Sequence, residues 1–168
     1  IEKFSEYLNT AYLVFFLKRF SFAVKEQEKS PRKSYVIDSG LTNIVGFKFS
    51  EDRGKLMENL VFLELLRRQQ TNPHLEVYYW KDERHREVDF ALKEKMAVNQ
   101  LIQVCKELNN EKTKDREIKP LLKAMSEFNL KKGLIITEDE KKEEEIQGKT
   151  IIFTPLWEWL LEAELKIN

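Results

Sequence analysis

The stretch EVDFALKEKMAVNQLIQVC, residues 87–105, decides the fold class of this chain. In its first half, acidic and apolar side chains alternate, which places Glu87 and Asp89 on one face of a predicted strand and apolar residues on the other. Residues 100–105 predict a second strand, and residues 101–105 are apolar apart from Gln103, which suits the centre of a sheet. The stretch therefore predicts two strands, each of which carries a polar side chain where a sheet normally buries apolar ones.

Helices and strands flank this pair on both sides. Their hydrophobic periodicity predicts a helix at 56–70, a strand at 76–80, a helix at 114–128 and strands at 133–137 and 150–153. The order is α-β-β-β-α-β, followed by one more strand and a helix. Strands that both meander and cross over predict an α/β fold with a mixed sheet and helices on both faces.

The N-terminal segment predicts a helix followed by a hairpin. Residues 1–9 have a helical pattern, and the β-branched and aromatic residues at 11–17 and 20–24 indicate strands. The polar residues 25–33 predict the hairpin loop, and a strand resumes at 34–37. This segment therefore predicts a small unit in front of the main sheet.

Three further segments have a predicted structure: a short helix, a charged stretch and a C-terminal helix. A short helix is predicted after a cap at Asp38 or Ser39. Residues 138–145 form a charge run that predicts a solvated segment. Pro155 is predicted to open a last helix. The residues predicted to lie on the inner face of that helix are Trp157, Leu160 and Leu161.

Composition limits the classes of function. The chain of 168 residues has a net charge of zero, so any nucleic-acid binding must come from a local patch. Its one cysteine, Cys105, excludes an internal disulfide and indicates the reducing cytoplasm. No apolar run approaches the roughly 18 residues that a membrane span needs, so we expect no membrane association.

A carboxylate lies on the apolar face of the first long helix. Glu58 is followed by Val61, Phe62 and Leu65, which are the offsets that share one side of a helix. A buried carboxylate is costly unless it is paired, protonated or bound to a metal. The position of Glu58 therefore predicts a special environment.

Glu58, Asp89 and Gln103 are predicted to converge on one cavity. Two carboxylates and an amide carbonyl are hard ligands of the kind that Mg²⁺ or Mn²⁺ prefers. Such an ion, held by Glu58 and Asp89, could polarise a phosphodiester and activate water. The three residues are therefore the candidate catalytic set, and the two carboxylates are the candidate metal ligands.

Each of these residues also has a purely structural interpretation. Glu58 could bond to a backbone end or an arginine, and Asp89 could pair with Arg84 or Arg86. Gln103 could be a core amide with its hydrogen bonds satisfied. Sequence alone leaves both interpretations open.

Five stretches, at residues 31–41, 57–65, 79–80, 87–90 and 101–105, carry a resemblance to a known family. The element order with an acid on the first helix and an acid on the second strand resembles the PD-(D/E)xK nuclease superfamily. As a set, the stretches look like the C-terminal domain of unknown function of prokaryotic AAA+ family ATPases. The resemblance covers nearly the whole chain.

The resemblance implies a domain organisation and a site. Residues 1–50 would be the end of a winged-helix-like connecting region, and residues 51–168 would be a restriction-endonuclease-like domain with an αβββαβ core. An ATP-binding domain would be expected before Ile1. Glu58 would match the helix acid, and Asp89 would match the strand aspartate.

The chain departs from the nuclease pattern at its third motif. The pattern has an acid, any residue and a lysine, whereas Gln103 and Cys105 stand at the acid and lysine positions here. Lys106 is predicted to point away, because side chains alternate along a strand. Cys105 is interpreted as a small buried residue rather than a nucleophile. The site is therefore expected to be degenerate.

These observations predict a module that binds DNA or a protein partner, attached to an ATPase domain that would bind ATP. One alternative is an active Mg-dependent DNA endonuclease with a lysine from elsewhere supplying positive charge. Another is a structural or oligomerisation domain. The basic pairs Arg67-Arg68 and Lys131-Lys132 could contact phosphates.

Overall fold

The computed structural model of the chain describes residues 2–38, 40, 53–108 and 110–165. Its helices are α1 (Glu2–Thr10), α2 (Val24–Lys29), α3 (Arg53–Thr71), α4 (Glu111–Glu127) and α5 (Leu156–Leu165). Its strands are β1 (Val14–Leu17), β2 (Lys33–Val36), β3 (Leu75–Lys81), β4 (Glu87–Glu94), β5 (Ala97–Val104), β6 (Lys132–Thr137), β7 (Lys142–Ile146) and β8 (Lys149–Pro155).

Six strands form the main sheet, in the order β3-β4-β5-β6-β8-β7. The β3–β4–β5 meander is antiparallel, and β5, β6 and β8 run parallel to one another because α4 crosses over between β5 and β6. The edge strand β7 returns antiparallel to β8. The predicted α/β fold with a mixed sheet is confirmed.

Helices cover both faces of the sheet and create two cores. Leu65 of α3 and Ile102 of β5 belong to the first core, while Leu121 of α4 and Leu101 of β5 belong to the second. Successive residues of β5 therefore point to opposite cores, as a strand buried on both faces requires. No helix in the described part of the chain is long and apolar enough to cross a membrane.

The N-terminal hairpin packs onto the edge of this sheet. Strands β1 and β2 are antiparallel, with Leu17 opposite Lys33. The segment after β1 then pairs with β3: Tyr79 donates its N–H to the Lys18 carbonyl at 3.0 Å, and Phe20 donates to the Tyr79 carbonyl at 2.7 Å. Because Leu17 is also part of the first core, the hairpin is built into the same packing as the sheet.

Two predictions for the N-terminal segment are wrong. Residues 20–24 form no strand. Helix α2 begins at Val24 and occupies most of the predicted loop at 25–33. The physical reason is that residues 24–29 combine good helix formers with no side chain that must be buried. The predicted helix after Asp38 or Ser39 and the predicted domain boundary near residue 50 lie outside the described residues.

The C-terminal segment differs from its prediction in two places, although residues 138–145 are solvated as predicted and none of them is buried. The charge run at 138–145 contains most of β7, because an edge strand tolerates charged residues on both faces and is protected by them. In α5 the buried indole is that of Trp159, at 4% exposure, whereas Trp157 is 58% exposed and Leu161 is 52% exposed. The inner face of α5 is thus rotated from the predicted one, and the helix starts after Pro155, which still belongs to β8.

Candidate functional site

Glu58 lies on the face of α3 that meets the hairpin. Its Oε1 accepts a hydrogen bond from the Tyr35 hydroxyl at 2.7 Å and pairs with Lys33 Nζ, also at 2.7 Å. Both partners come from β2, so neither of the structural interpretations from sequence, a backbone end or an arginine, describes its contacts. The carboxylate is held by a long-range contact with the hairpin.

Asp89 lies in a β-bulge of strand β4. Val88 and Ala91 pair with Trp80 and Tyr78 of β3, so two residues of β4 stand opposite one residue of β3. A bulge of this kind turns a side chain out of the regular alternation, and bulges are common beside functional sites. The bulge therefore explains how an acid within an apolar strand reaches a polar pocket.

The Asp89 carboxylate is engaged on both oxygens. Its Oδ1 pairs with Lys33 Nζ at 2.8 Å, and its Oδ2 accepts the backbone N–H of Val104 at 2.9 Å. The predicted alternative partner Arg86 pairs instead with Asp82 at 2.7 Å. Asp89 is thus joined to the hairpin and to the neighbouring strand β5.

Lys33 is the centre of this arrangement. Besides Glu58 and Asp89, its ammonium contacts Glu87 Oε1 at 3.1 Å, and Glu87 also pairs with Lys81 at 3.1 Å. The Lys33 side chain is 21% exposed, so three carboxylates surround a partly buried ammonium. One lysine from the hairpin thereby holds together acids of α3 and β4.

Burial and like charge set the electrostatics of the cluster. Burial, followed by the charge of Glu58, raises the pKa of Asp89 to about 7, although Lys33 opposes the shift. Burial disfavours the Lys33 ammonium, but the charges of Asp89 and Glu58 outweigh it and raise the pKa of Lys33 well above its usual value. Burial and Glu58 also raise the pKa of Tyr35. Strongly perturbed groups of this kind are typical of functional sites.

Gln103 joins Asp89 to the opposite face of the sheet. Its Oε1 accepts the backbone N–H of Asp89 at 3.2 Å, and its Nε2 donates to Glu117 Oε2 of α4 at 2.7 Å. Glu117 also accepts from Arg116 at 2.8 Å. Both ends of the Gln103 amide are therefore engaged within the protein.

A cavity of about 950 Å³ lies where β5 ends, and Glu58, Asp89 and Gln103 all line it. The structure thus brings the three predicted site residues together. Glu58 and Asp89 share Lys33, while Gln103 reaches only the backbone of Asp89. The other charged residues of the lining are Arg53, Lys55, Lys106, Glu107, Arg116 and Glu117.

The donor atoms of this site do not fit a divalent ion in the observed arrangement. The oxygens named above on Glu58, Asp89 and Gln103 each accept a hydrogen bond or an ion pair from the protein. Throughout the described ranges, no buried side-chain nitrogen or oxygen lacks a partner. In those same ranges, no three or more His, Cys, Asp or Glu residues are grouped so that they could hold a metal.

Comparisons with known proteins give the family. The family described as "Domain of unknown function (DUF4143)" matches residues 53–159. The chain belongs to the DUF4143 family. It is also 40% identical over 171 residues to "Uncharacterized protein MJ1544" of Methanocaldococcus jannaschii, an alignment that covers 96% of this chain and 36% of that protein. The chain thus spans about a third of its relative, and no solved structure matches it.

The third-motif residues of this DUF4143 domain differ from the prediction in one respect. Cys105 is a buried free thiol, and burial, followed by the charge of Glu117, raises its pKa to about 11. Lys106 does not point away from the cavity, because β5 ends at Val104 and the strict alternation ends with it. Its ammonium pairs with Glu107 at 2.6 Å.

Sequence reasoning missed three residues of the site. Lys33 and Tyr35 lie outside the DUF4143 match, and Lys33 falls in the predicted loop at 25–33, whereas the structure places it in β2 on the same face as Tyr35. Glu117 precedes Leu121 and Ala124 by four and seven residues, the same spacing that singled out Glu58. That spacing could have identified Glu117. No local pattern, however, predicts that Lys33 pairs with Glu58 and Asp89.

Proposed function

We propose that this chain is a DNA-binding module of a prokaryotic ATPase, built on a nuclease-like fold whose cleavage site is degenerate. The observation that carries the proposal is that the Lys33 ammonium pairs with both Glu58 and Asp89 from within the protein. Gln103 adds to it, since a neutral amide stands where the nuclease pattern has an acid. A site of this kind favours binding over cleavage.

The charge gradient across the cavity supports a phosphodiester ligand. The side chains of Arg53 and Arg116 are 68% and 76% exposed at its rim. The carboxylates of Glu58 and Asp89 lie deeper, at 21% and 11% exposure. A phosphate that approaches the cavity would therefore meet guanidinium groups before it meets acids, and arginine is well suited to phosphate oxygens.

The ion pairs at the rim leave its cations available to a ligand. Arg53 pairs with Glu138 at 2.7 Å, and Arg116 pairs with Glu117 at 2.7 Å. The Arg53–Glu138 pair is largely exposed, and pairs of this type contribute only about 0–1 kcal/mol, whereas Glu117 is buried and would keep only its hydrogen bond from Gln103 if Arg116 turned to a ligand. Exchanging a carboxylate for a phosphate at Arg53 thus costs little, and local basic groups can bind DNA despite the neutral net charge.

The ATPase part of the proposal rests on the resemblance described from sequence. The relative in Methanocaldococcus jannaschii is much longer than this chain, which covers 36% of it. That length leaves room in the relative for a further domain. A DNA-binding module of this size beside an ATPase domain would place the ATPase domain on DNA.

The test is fluorescence anisotropy with a labelled DNA duplex over a range of salt concentrations. We expect Arg53→Ala with Arg116→Ala to weaken binding at least tenfold and to reduce the slope of log K against log salt by about 2, since each lost phosphate contact removes about 0.9. Binding by the wild type should not change when EDTA is added. Lys119→Ala with Lys141→Ala removes two cations of similar exposure that do not line the cavity and should have little effect.

The alternative is a Mg-dependent endonuclease, and one observation favours it. The ammonium of Lys33 lies beside Glu58 and Asp89, where it could supply the positive charge that the third motif lacks. Cleavage of duplex or branched DNA in Mg²⁺, lost in Asp89→Asn, would establish this alternative and reject the binding module. Absence of DNA binding even at low salt would leave the structural role.

A further inference from the structure

The Lys33 ammonium lies among three carboxylates, a set of ligands that can also hold a divalent metal ion. Its Nζ donates to carboxylate oxygens of Glu58 at 2.7 Å, Asp89 at 2.8 Å and Glu87 at 3.1 Å. We propose that Lys33 is a tethered substitute for a divalent cation, and that removing its charge converts the cluster into a divalent-cation site. This inference concerns the same pocket but does not depend on DNA binding.

A count of charges supports the substitution. With every group ionised, Glu58, Glu87 and Asp89 contribute three negative charges, and Lys33 and Lys81 contribute two positive ones, which leaves a net charge of minus one. Without Lys33 the net charge becomes minus two, which a divalent ion would balance. Uncompensated carboxylates at low exposure are strongly unfavourable, so the cluster then gains most from an added cation.

The ligand chemistry is also suitable once Lys33 is removed. The oxygens of Glu58 and Asp89 that now face the ammonium would be left without it, and carboxylate oxygens are hard donors that suit Mg²⁺ and Mn²⁺. Asp89 would still be positioned by Val104, whose N–H binds its other oxygen at 2.9 Å. The cluster would therefore keep part of its geometry.

The hairpin fixes Lys33 in place, which separates it from an ordinary surface lysine. Two residues further along β2, Tyr35 stacks on Phe62 with ring centroids 4.1 Å apart and donates its hydroxyl to Glu58. Next to it, the Asn59 side chain binds both the N–H and the carbonyl of Val36, at 2.9 and 3.0 Å. The backbone that carries Lys33 is thus anchored to α3, which fixes the position of the ammonium beside Glu58 and Asp89.

Manganese binding tests the inference, with Mn²⁺ as the probe and electron paramagnetic resonance as the readout. We expect the wild type to show no Mn²⁺ binding that depends on Asp89. Lys33→Met should bind Mn²⁺ at least tenfold more tightly than the wild type, and its melting temperature should rise with Mn²⁺ concentration. Adding Asp89→Asn to Lys33→Met should remove the new binding.

Two controls isolate the charge of Lys33. Lys33→Arg keeps a cation in the cluster and should not gain Mn²⁺ binding. Lys18→Met removes a lysine that pairs with Glu28 at the surface and should behave as the wild type. If Lys33→Met does not fold, Lys33→Gln serves in its place, because it removes the charge but keeps a hydrogen-bonding group.

Two results would overturn the inference. One is Mn²⁺ binding by the wild type that disappears in Asp89→Asn, which would mean that Lys33 leaves room for a metal; this measurement needs no Lys33 variant. The other is a folded Lys33→Met or Lys33→Gln that binds no more Mn²⁺ than the wild type. The second result leaves the proposed function untouched, whereas the first would also favour the endonuclease alternative; DNA affinity itself is tested separately by the anisotropy measurement.

Discussion

Two buried aspartates, seven residues apart in sequence, have opposite electrostatic environments. Asp82 lies in the turn before β4 and accepts the backbone N–H groups of Arg84 and Arg86 at 2.8 and 2.9 Å. It also pairs with Lys123 at 2.8 Å, and these contacts outweigh burial and lower its pKa. Asp89 is also buried, yet its pKa is raised to about 7 because burial and the nearby Glu58 outweigh Lys33.

The difference shows which of the two acids is structural. Asp82 obtains most of its partners from its own turn, so its charge is stabilised wherever that turn forms. Asp89 depends on Lys33, which is 56 residues away, and shares it with Glu58. An acid that is held at an electrostatic cost is a better candidate for function than one that is fully satisfied.

The largest expected effect comes from removing the shared partner. Lys33→Met should lower the free energy of unfolding by about 3 kcal/mol at pH 8, since breaking one side of a buried ion pair leaves uncompensated charge. Urea denaturation measures the change. In a double-mutant cycle, Asp89→Asn should cost much less in the Lys33→Met background than alone, and additive effects would contradict the coupling.

The local network should give a smaller loss. Asp82→Asn removes a charged acceptor of several hydrogen bonds and should destabilise the protein by roughly 2 kcal/mol at pH 7. Because the folded-state pKa of Asp82 is lowered, this stabilisation is present above the ordinary aspartate pKa and is lost as the pH falls through the folded value. The stabilities of the wild type and Asp82→Asn should therefore begin to draw together as the pH falls below the ordinary aspartate pKa of about 4.

The smallest effect, measured over a single pH unit, is a pH dependence of opposite sign. The folded-state pKa of Asp89 lies above its ordinary value, so its contribution is fully present below about pH 4 and is lost as the pH rises through about 7. One group of this kind lowers stability by at most about 1.4 kcal/mol per pH unit within that window. Comparing unfolding of the wild type with Asp89→Asn between pH 5 and 6 isolates it, and an equal slope in both would refute it.

Much of the fold follows from local patterns in the sequence. The periodicity of residues 56–70 and 114–128 predicted α3 and α4 to within a few residues, and the alternation at 87–105 predicted β4 and β5. Periodicity identified neither α2 nor β7, because both are short, charged and largely exposed. Their existence depends on helix propensity and on a free sheet edge rather than on a hydrophobic pattern.

The candidate site, like the fold, could be predicted from the sequence only in part. Glu58, Asp89 and Gln103 could be found from sequence because each interrupts an apolar pattern, and all three line one cavity. Whether they act in cleavage or metal binding stays a prediction. The involvement of Lys33, which contacts two of them, could not be predicted because it depends on how the hairpin packs against α3 and β3.

The amino-acid sequence by itself determined the order of the elements, the faces they bury and the polar residues placed on those faces. These follow from repeats of two and 3.6 residues, which are properties of neighbouring positions in the chain. Only the tertiary structure decided the partners of those polar residues, and with them the charge of the pocket. An ammonium and a carboxylate separated by dozens of residues meet because of packing, and no local pattern encodes that distance.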